Sequence, residues 1–89
     1  MTFVITNHKP MRKGTLIGFF DLEMPSGLIV RGAMLFEKNN KRWCAFPSKE
    51  WVKADGTKSY SPLLEFADRS ISDKFQAAVV PQAEAAFGL

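Results

Sequence analysis

The sequence predicts an α+β protein, in which an antiparallel sheet of about five strands carries a C-terminal α-helix packed on one face. Two observations lead to this fold class. Apolar and polar residues alternate with a period of two between Thr15 and Glu37, which is typical of β-strands. Apolar residues then recur at helical spacing after Ile71, so the regular structure changes from sheet to helix towards the C-terminus.

The first two strands form a predicted hairpin. Thr15 to Met24 alternates, Pro25-Ser26-Gly27 supplies turn residues, and Leu28 to Glu37 repeats the alternation. One face of the hairpin carries the residues at even positions, among them Leu16, Phe20, Leu22, Val30, Met34 and Phe36.

Three shorter strands are expected downstream. Lys38 to Lys41 is a polar turn, and Arg42 to Phe46 is the third strand. A fourth strand around Glu50 to Lys53 meets Asp55-Gly56, the strongest hairpin signal in the chain. The fifth strand begins near Lys58.

The last part of the chain predicts one amphipathic helix. Its apolar stripe consists of Ile71, Phe75, Ala78 and Val79. Asp68 or Ser70 can cap the first turn. Pro81 leaves two alternatives because it has no backbone N–H: residues 82–87 are either a kinked continuation or a separate turn.

The chain has the size of one small domain, since 89 residues close a single hydrophobic core. We expect residues 1–14 to be an N-terminal arm and residues 15–89 to be the domain. Lys9, Arg12 and Lys13 of the arm can reach a phosphate backbone, although a solvated terminus is favoured. No apolar stretch approaches the roughly 18 residues of a membrane span, so we expect a cytoplasmic protein without membrane contact.

The second face of the predicted hairpin is also apolar. Its large and small apolar residues are Ile17, Phe19, Ile29, Ala33 and Leu35. Burying a large apolar side chain is worth roughly 1.5–3 kcal/mol, so such a face favours a partner surface. We predict a homodimer that buries these five residues. The alternative is that the N-terminal Phe3-Val4-Ile5 segment, or the segment after Pro81, folds over them.

Catalysis has little support in the sequence. A nucleophile needs a base held by an orienting group, but the single histidine, His8, lies in the predicted arm, and Cys44 is expected to be a small core residue. Asp21 and Glu23 share a strand face, where an ion pair with Arg31 or a solvated patch is favoured over catalytic carboxylates. No zinc-ligand or phosphate-loop spacing is present. We therefore expect no enzyme activity, cofactor, metal or small-molecule substrate.

Basic and aromatic residues interleave in the third to fifth strands. Bases stack on aromatic rings while cations neutralise phosphates, so this mixture favours binding of single-stranded or flexible nucleic acid. The net charge of +3 permits such contact without requiring it. Trp51 and Tyr60 are the candidate stacking residues, and a core position is the alternative for Trp43 or Trp51. The candidate phosphate contacts in these strands are Arg42, Lys49, Lys53 and Lys58.

The segment from Trp43 to Lys49, Trp-Cys-Ala-Phe-Pro-Ser-Lys, resembles the signature of the SpoVG family of small bacterial regulators. In that family an aromatic or apolar strand is followed by Pro-Ser-Lys. The later landmarks occur in a similar order: Asp55-Gly56 at the hairpin, Pro62, and a helix start with Ser, Lys, Gln and Ala-Val between Ser70 and Val79. The resemblance covers residues from Leu16 to Val80.

The resemblance implies an antiparallel sheet with a C-terminal helix, a homodimer, and binding of DNA or RNA to regulate gene expression. Lys49 corresponds to a nucleic-acid contact in the loop after the third strand, and Lys74 to a basic position of the helix. Arg69 completes the predicted phosphate contacts.

The chain also departs from the family pattern. The family usually has a basic residue after Pro-Ser-Lys, where this chain has Glu50, and an arginine at the helix start, where it has Ser72 with Asp73 beside it. The loop before Asp55 is also two residues longer. We expect a non-enzymatic, homodimeric regulatory protein that binds nucleic acid. The alternative is a protein-interaction or assembly module that does not bind nucleic acid.

Overall fold

The computed structural model describes residues 3–89. Six strands and one helix follow one another along this part of the chain. Their bounds are β1 (Val4–Lys13), β2 (Leu16–Glu23), β3 (Ile29–Lys38), β4 (Lys41–Ala45), β5 (Ser48–Val52), β6 (Lys58–Pro62) and α1 (Arg69–Ala86). The five strands predicted after Gly14 correspond to β2 to β6.

The strands form two antiparallel sheets. The larger sheet has the order β1-β2-β3-β4, so each strand pairs with its neighbour in sequence, and β5 pairs with β6 in a separate hairpin. Helix α1 packs on one face of the larger sheet and contacts β4 and β1. This arrangement confirms the α+β fold class and the C-terminal helix on one sheet face.

The prediction of an N-terminal arm is wrong for residues 4–13, which form β1 and pair with β2. The register shifts twice along this pairing, and Asn7 and Arg12 within the two bulges each have a φ of 51°. Bulges interrupt a period of two, and β1 is an edge strand whose side chains are mostly exposed. The sequence of this strand therefore shows no alternation that predicts it.

The core lies between the larger sheet and α1. Its largest fully buried side chains come from β2, β3 and α1, and they are Phe20, Leu22, Leu35 and Val79. Phe3 and Ile5 pack against this cluster, and the Phe3 ring meets the Phe75 ring edge to face at 5.6 Å. The N-terminal segment therefore covers part of the helix side and not the outer face of the sheet.

A β-bulge decides which residues of β3 enter the core. Asp21 of β2 lies opposite two residues, Arg31 and Gly32, because the register shifts between the flanking pairs. Gly32 has a φ of 78°, which glycine adopts without the steric cost of a Cβ atom. The extra residue reverses the alternation along β3, so Ala33 and Leu35 turn towards the helix and become buried.

Three of the five residues predicted for a dimer interface are therefore core residues. Ile17, Ala33 and Leu35 are at most 4% exposed and pack inside the chain itself. A second register shift, in β2, turns Ile17 inward. Of the five, Phe19 is half-buried and Ile29 is exposed.

Helix α1 is continuous from Arg69 to Ala86, and Asp68 caps it by accepting a hydrogen bond from a backbone N–H of the first turn at 2.9 Å. Pro81 lies inside the helix on its exposed side, so the chain takes the continuation rather than the separate turn. The predicted stripe is partly wrong because Ile71 and Ala78 are exposed. The buried stripe is Phe75, Val79 and Ala83.

The side chain of Gln76 covers part of the free edge of β4. Its Oε1 accepts a hydrogen bond from the backbone N–H of Cys44 at 2.8 Å, and its Nε2 donates to the Cys44 carbonyl at 2.7 Å. One amide side chain thus satisfies both backbone groups of an edge residue, as a neighbouring strand would.

The carboxylate of Asp21 joins three strands at the bulge in β3. It accepts hydrogen bonds from Asn7 Nδ2 at 3.0 Å, from an Arg31 guanidinium nitrogen at 2.9 Å and from the backbone N–H of Gly32 at 3.3 Å. The contact with Arg31 confirms the predicted ion pair. These hydrogen bonds, that from Asn7 foremost, hold the pKa of Asp21 below its usual value.

We expect Gln76→Ala to lower the free energy of unfolding by about 1–3 kcal/mol, because two partly buried backbone groups of Cys44 lose their partner. Urea unfolding followed by circular dichroism measures the change. Gln82→Ala, on the same helix, is the control and should change stability by less than about 0.5 kcal/mol. Equal losses in the two variants would contradict this role of Gln76.

Stability should depend on the ionisation of Asp21 at acid pH. The pKa of Asp21 is lower in the folded chain than in the unfolded chain, so its contribution is complete above an unfolded pKa of about 3.9 and is lost as the pH falls through the folded pKa. We expect Asp21→Asn to be less stable than the wild type at pH 7, and its stability to decline less steeply below about pH 4. Urea unfolding between pH 7 and pH 2.5 tests this, and parallel stability curves would contradict it.

Candidate functional site

The β5–β6 hairpin forms a sheet separate from the four-stranded one, and every residue of β5 is exposed. Its turn is closed by hydrogen bonds from the Lys53 N–H to the Thr57 carbonyl at 2.8 Å and from the Gly56 N–H to the Lys53 carbonyl at 2.9 Å. Asp55 accepts hydrogen bonds from the hydroxyl and the N–H of Thr57, which lower the pKa of Asp55. The Asp-Gly pair thus turns the chain where the sequence predicts a hairpin.

One side of this hairpin combines cations with an indole ring. Lys49 and Trp51 are two positions apart in β5 and therefore lie on the same side of the strand. Lys53 follows β5, and its Nζ lies 6.0 Å from the Trp51 ring centroid. Trp51 Nε1 donates a hydrogen bond to Ser61 Oγ at 3.1 Å, which orients the indole. Within residues 3–89, neither lysine forms an ion pair. We call Lys49, Trp51 and Lys53 the basic–aromatic face.

The opposite side of the hairpin has a different character. Glu50 pairs across the strands with Tyr60, and Lys58 Nζ lies 3.3 Å from Glu50 Oε1. Because successive residues of a strand alternate in direction, Tyr60 points away from Trp51. The two predicted stacking residues therefore do not form one surface, and the charge of Lys58 is matched by a carboxylate.

Arg42, one of the predicted phosphate contacts, already pairs with two carboxylates of the chain. Its guanidinium contacts a carboxylate oxygen of Glu37 at 2.8 Å and one of Glu84 at 2.5 Å. These contacts, that with Glu84 first, raise the pKa of Arg42 above its usual value. The neighbouring Trp43 stacks on Phe36, with ring centroids 5.7 Å apart. Arg42 thus ties β4 to β3 and α1, and both of its acidic partners compete with any phosphate.

The two predicted contacts on the helix remain exposed. Arg69 begins α1 and lines a cavity of about 430 Å³ together with Leu64, Phe66 and Gln76, whereas Lys74 lies on the exposed side of the helix. Both belong to α1 and neither belongs to the hairpin. The structure therefore brings together Lys49, Lys53 and Trp51 and distributes the other predicted contacts over separate elements.

An apolar groove lies on the outer face of the larger sheet, opposite α1. It has a volume of about 660 Å³ and one charged lining residue among those described, Glu50. The apolar side chains that line it come from β2, β3, the segment after β4, and β6, and they are Phe19, Met34, Phe36, Phe46, Pro47 and Tyr60. The second apolar face predicted from the sequence exists, but apart from Phe19 it is built from other residues.

Sequence reasoning places Met34 and Phe36 on the wrong face because it assumes an unbroken period of two along β3. The signal for the bulge is Gly32, since an isolated glycine inside a strand pattern often marks a bulge. Shifting the alternation by one residue after Gly32 places Ala33 and Leu35 inside and Met34 and Phe36 outside.

The single cysteine and the single histidine of the chain both pack against apolar neighbours. Cys44 is buried, as expected for a small core residue, and burial raises the pKa of its thiol to about 12. The imidazole of His8 packs edge to face on the Phe87 ring at 5.4 Å. Residues 3–89 include no group of three or more His, Cys, Asp or Glu side chains placed to hold a metal ion. Over the same residues, no helix has the length and apolarity that crossing a membrane requires.

Comparisons of the chain with models of protein families, with curated proteins and with solved structures find no match. The resemblance to the SpoVG family therefore rests on the residues between Leu16 and Val80 and stays a prediction.

Proposed function

We propose that the protein is a non-enzymatic regulatory protein that binds DNA or RNA as a homodimer. The observation that supports binding most strongly is the basic–aromatic face, where Lys49 and Lys53 flank an exposed and oriented indole. The resemblance of residues 43–49 to the SpoVG signature supports the same function. Lys49 belongs to both.

The chemistry of this face suits a strand with accessible bases. A base stacks on the Trp51 ring, which contributes roughly 1–3 kcal/mol per base by alanine substitution, while Lys49 and Lys53 pair with neighbouring phosphates. Stacking requires an unpaired base, so the proposal favours single-stranded or flexible nucleic acid over a regular duplex. Arg69 and Lys74 are exposed additional contacts, whereas Arg42 and Lys58 contribute less because carboxylates already pair with them.

The apolar groove supports the homodimer. A two-fold dimer places the same patch on both copies. A groove with one charged residue in its described lining can meet a second copy without burying many charges. A stable interface takes about 800 Å² from each partner. Two exposed rings add apolar surface. Tyr60 lines the groove, and Trp43 lies beside it, stacked on the lining residue Phe36.

The same groove supports the second candidate function, a protein-interaction or assembly module that binds no nucleic acid. In that case an apolar segment of another protein occupies the groove, and the basic–aromatic face is a solvated surface. Only the first function predicts nucleic-acid binding that Trp51→Ala weakens.

We expect Trp51→Ala to weaken binding of a labelled mixed-sequence single-stranded oligonucleotide roughly 5- to 150-fold, because one stacking contact is lost. Fluorescence anisotropy at 50 mM salt measures the affinity. Val52→Ala removes an exposed apolar side chain from the opposite side of the same hairpin and should change the affinity less than twofold.

The salt dependence checks the phosphate contact in the same assay. Lys49→Gln should reduce the slope of log K against log salt by about 0.7, the value for one contact on a single strand, whereas Lys58→Gln should leave it nearly unchanged. Binding that is independent of salt, or that survives Trp51→Ala, would contradict the proposed site. Absence of binding by the wild type would favour the protein-interaction module.

The homodimer is tested by a charge placed in the groove. We expect Met34→Lys to weaken self-association at least about tenfold, because a dimer would bury an unpaired ammonium group. Sedimentation velocity over a concentration series measures the dissociation constant. Ile71→Lys puts the same change at an exposed apolar position of α1 and should leave the dimer intact. A monomeric wild type, or equal effects of the two substitutions, would contradict a dimer through this groove.

A further inference from the structure

Two turns lie side by side at one end of the larger sheet. Residues 13–16 connect β1 to β2, and residues 38–41 connect β3 to β4. The backbone N–H of Glu37, next to the second turn, donates a hydrogen bond to the carbonyl of Thr15 in the first turn at 2.8 Å. This end of the sheet is the one opposite the β4–β5 connection.

Four cations gather at this end of the sheet. Arg12 and Lys13 are the last two residues of β1, Lys38 ends β3 and Lys41 begins β4. All four are exposed. We call these four residues the cationic end. None of them forms an ion pair within residues 3–89, and Glu37, the neighbouring acid, is bound by Arg42.

The arrangement is unfavourable for the isolated protein. Lys38 and Lys41 pair directly across the strands, and like charges placed opposite one another repel. A polyanion would relieve this repulsion. Because neighbouring strands are about 4.8 Å apart, the cations extend across four strands over roughly 14 Å. A row of this length matches a linear chain of phosphates better than a single small anion.

We infer that the cationic end is a second phosphate-binding surface, which holds the backbone of the nucleic acid whose bases meet the basic–aromatic face. The inference rests on the proposed function and adds residues that the sequence does not single out, Lys38 and Lys41. The two surfaces are joined by β4 and the segment after it. Lys49 follows Lys41 by eight positions, which limits the distance between their Cα atoms to about 28 Å.

This limit gives the inference a length dependence. At 3.4 Å per nucleotide, 28 Å corresponds to about eight stacked nucleotides. An oligonucleotide of four nucleotides has three internucleotide phosphates, too few to pair with Lys49, Lys53 and the four cations at the same time, whereas one of twenty nucleotides can contact both surfaces. Removing cations from this end should therefore affect the longer oligonucleotide more.

The test uses Lys38→Gln/Lys41→Gln, which removes two charges from exposed turn positions. With the twenty-nucleotide probe, we expect the salt slope to fall by about 1.4, the value for two lost contacts on a single strand. With the four-nucleotide probe we expect little change. Lys9→Gln/Lys58→Gln removes the same net charge elsewhere and should have a clearly smaller effect on both probes.

The outcomes separate this inference from the proposed function. If Trp51→Ala weakens binding while Lys38→Gln/Lys41→Gln leaves the salt slope unchanged, nucleic-acid binding stands and the second surface is overturned. Equal effects of the two double variants would also overturn it, because net charge alone would then explain the loss. A wild type that binds neither probe overturns both. The variant Lys38→Gln/Lys41→Gln could also lose the wild type's binding to anionic phospholipid vesicles while it keeps full binding of the twenty-nucleotide probe. That result would assign the cationic end to a membrane surface and overturn the inference.

Discussion

The bulge in β3 is the constraint on which the two faces of the sheet depend. Asp21 stabilises it from the neighbouring strand by accepting hydrogen bonds from the Gly32 N–H and the Arg31 guanidinium, and it also binds Asn7 of β1. Glycine permits the positive φ that the bulge requires, and the carboxylate supplies the acceptor for its backbone N–H. Without the extra residue, Ala33 and Leu35 would leave the core.

The bulge also creates the outer groove. Once Ala33 and Leu35 face α1, the alternating residues Met34 and Phe36 must face outward, where they join Phe19. The β4 edge of the sheet is partly covered. Gln76 hydrogen-bonds both backbone groups of Cys44 and thereby restricts strand addition at β4. These features favour the outer face, rather than the β4 edge, as the surface of the proposed homodimer.

Ion pairing sorts the cations of the protein into two groups. Arg31 and Arg42 connect strands to one another or to the helix, and Lys58 connects the two strands of the hairpin. The lysines of the basic–aromatic face and the residues of the cationic end have no such partner within residues 3–89. Three-dimensional pairing therefore distinguishes structural cations from those available to a phosphate, which a count of Lys and Arg along the sequence does not.

The sequence by itself determined the elements whose signals are local. The alternation after Thr15, the Asp55-Gly56 turn, the cap at Asp68 and the buried pair Phe75 and Val79 all appear where short-range patterns predict them. Tertiary structure decided which face the residues after Gly32 occupy. One bulge residue reverses the direction of every later residue in its strand, so Ala33 and Met34 exchange places although the sequence pattern is unchanged. Tertiary structure also decided that β1 is a strand, because its stability comes from pairing with β2 rather than from its own polar sequence.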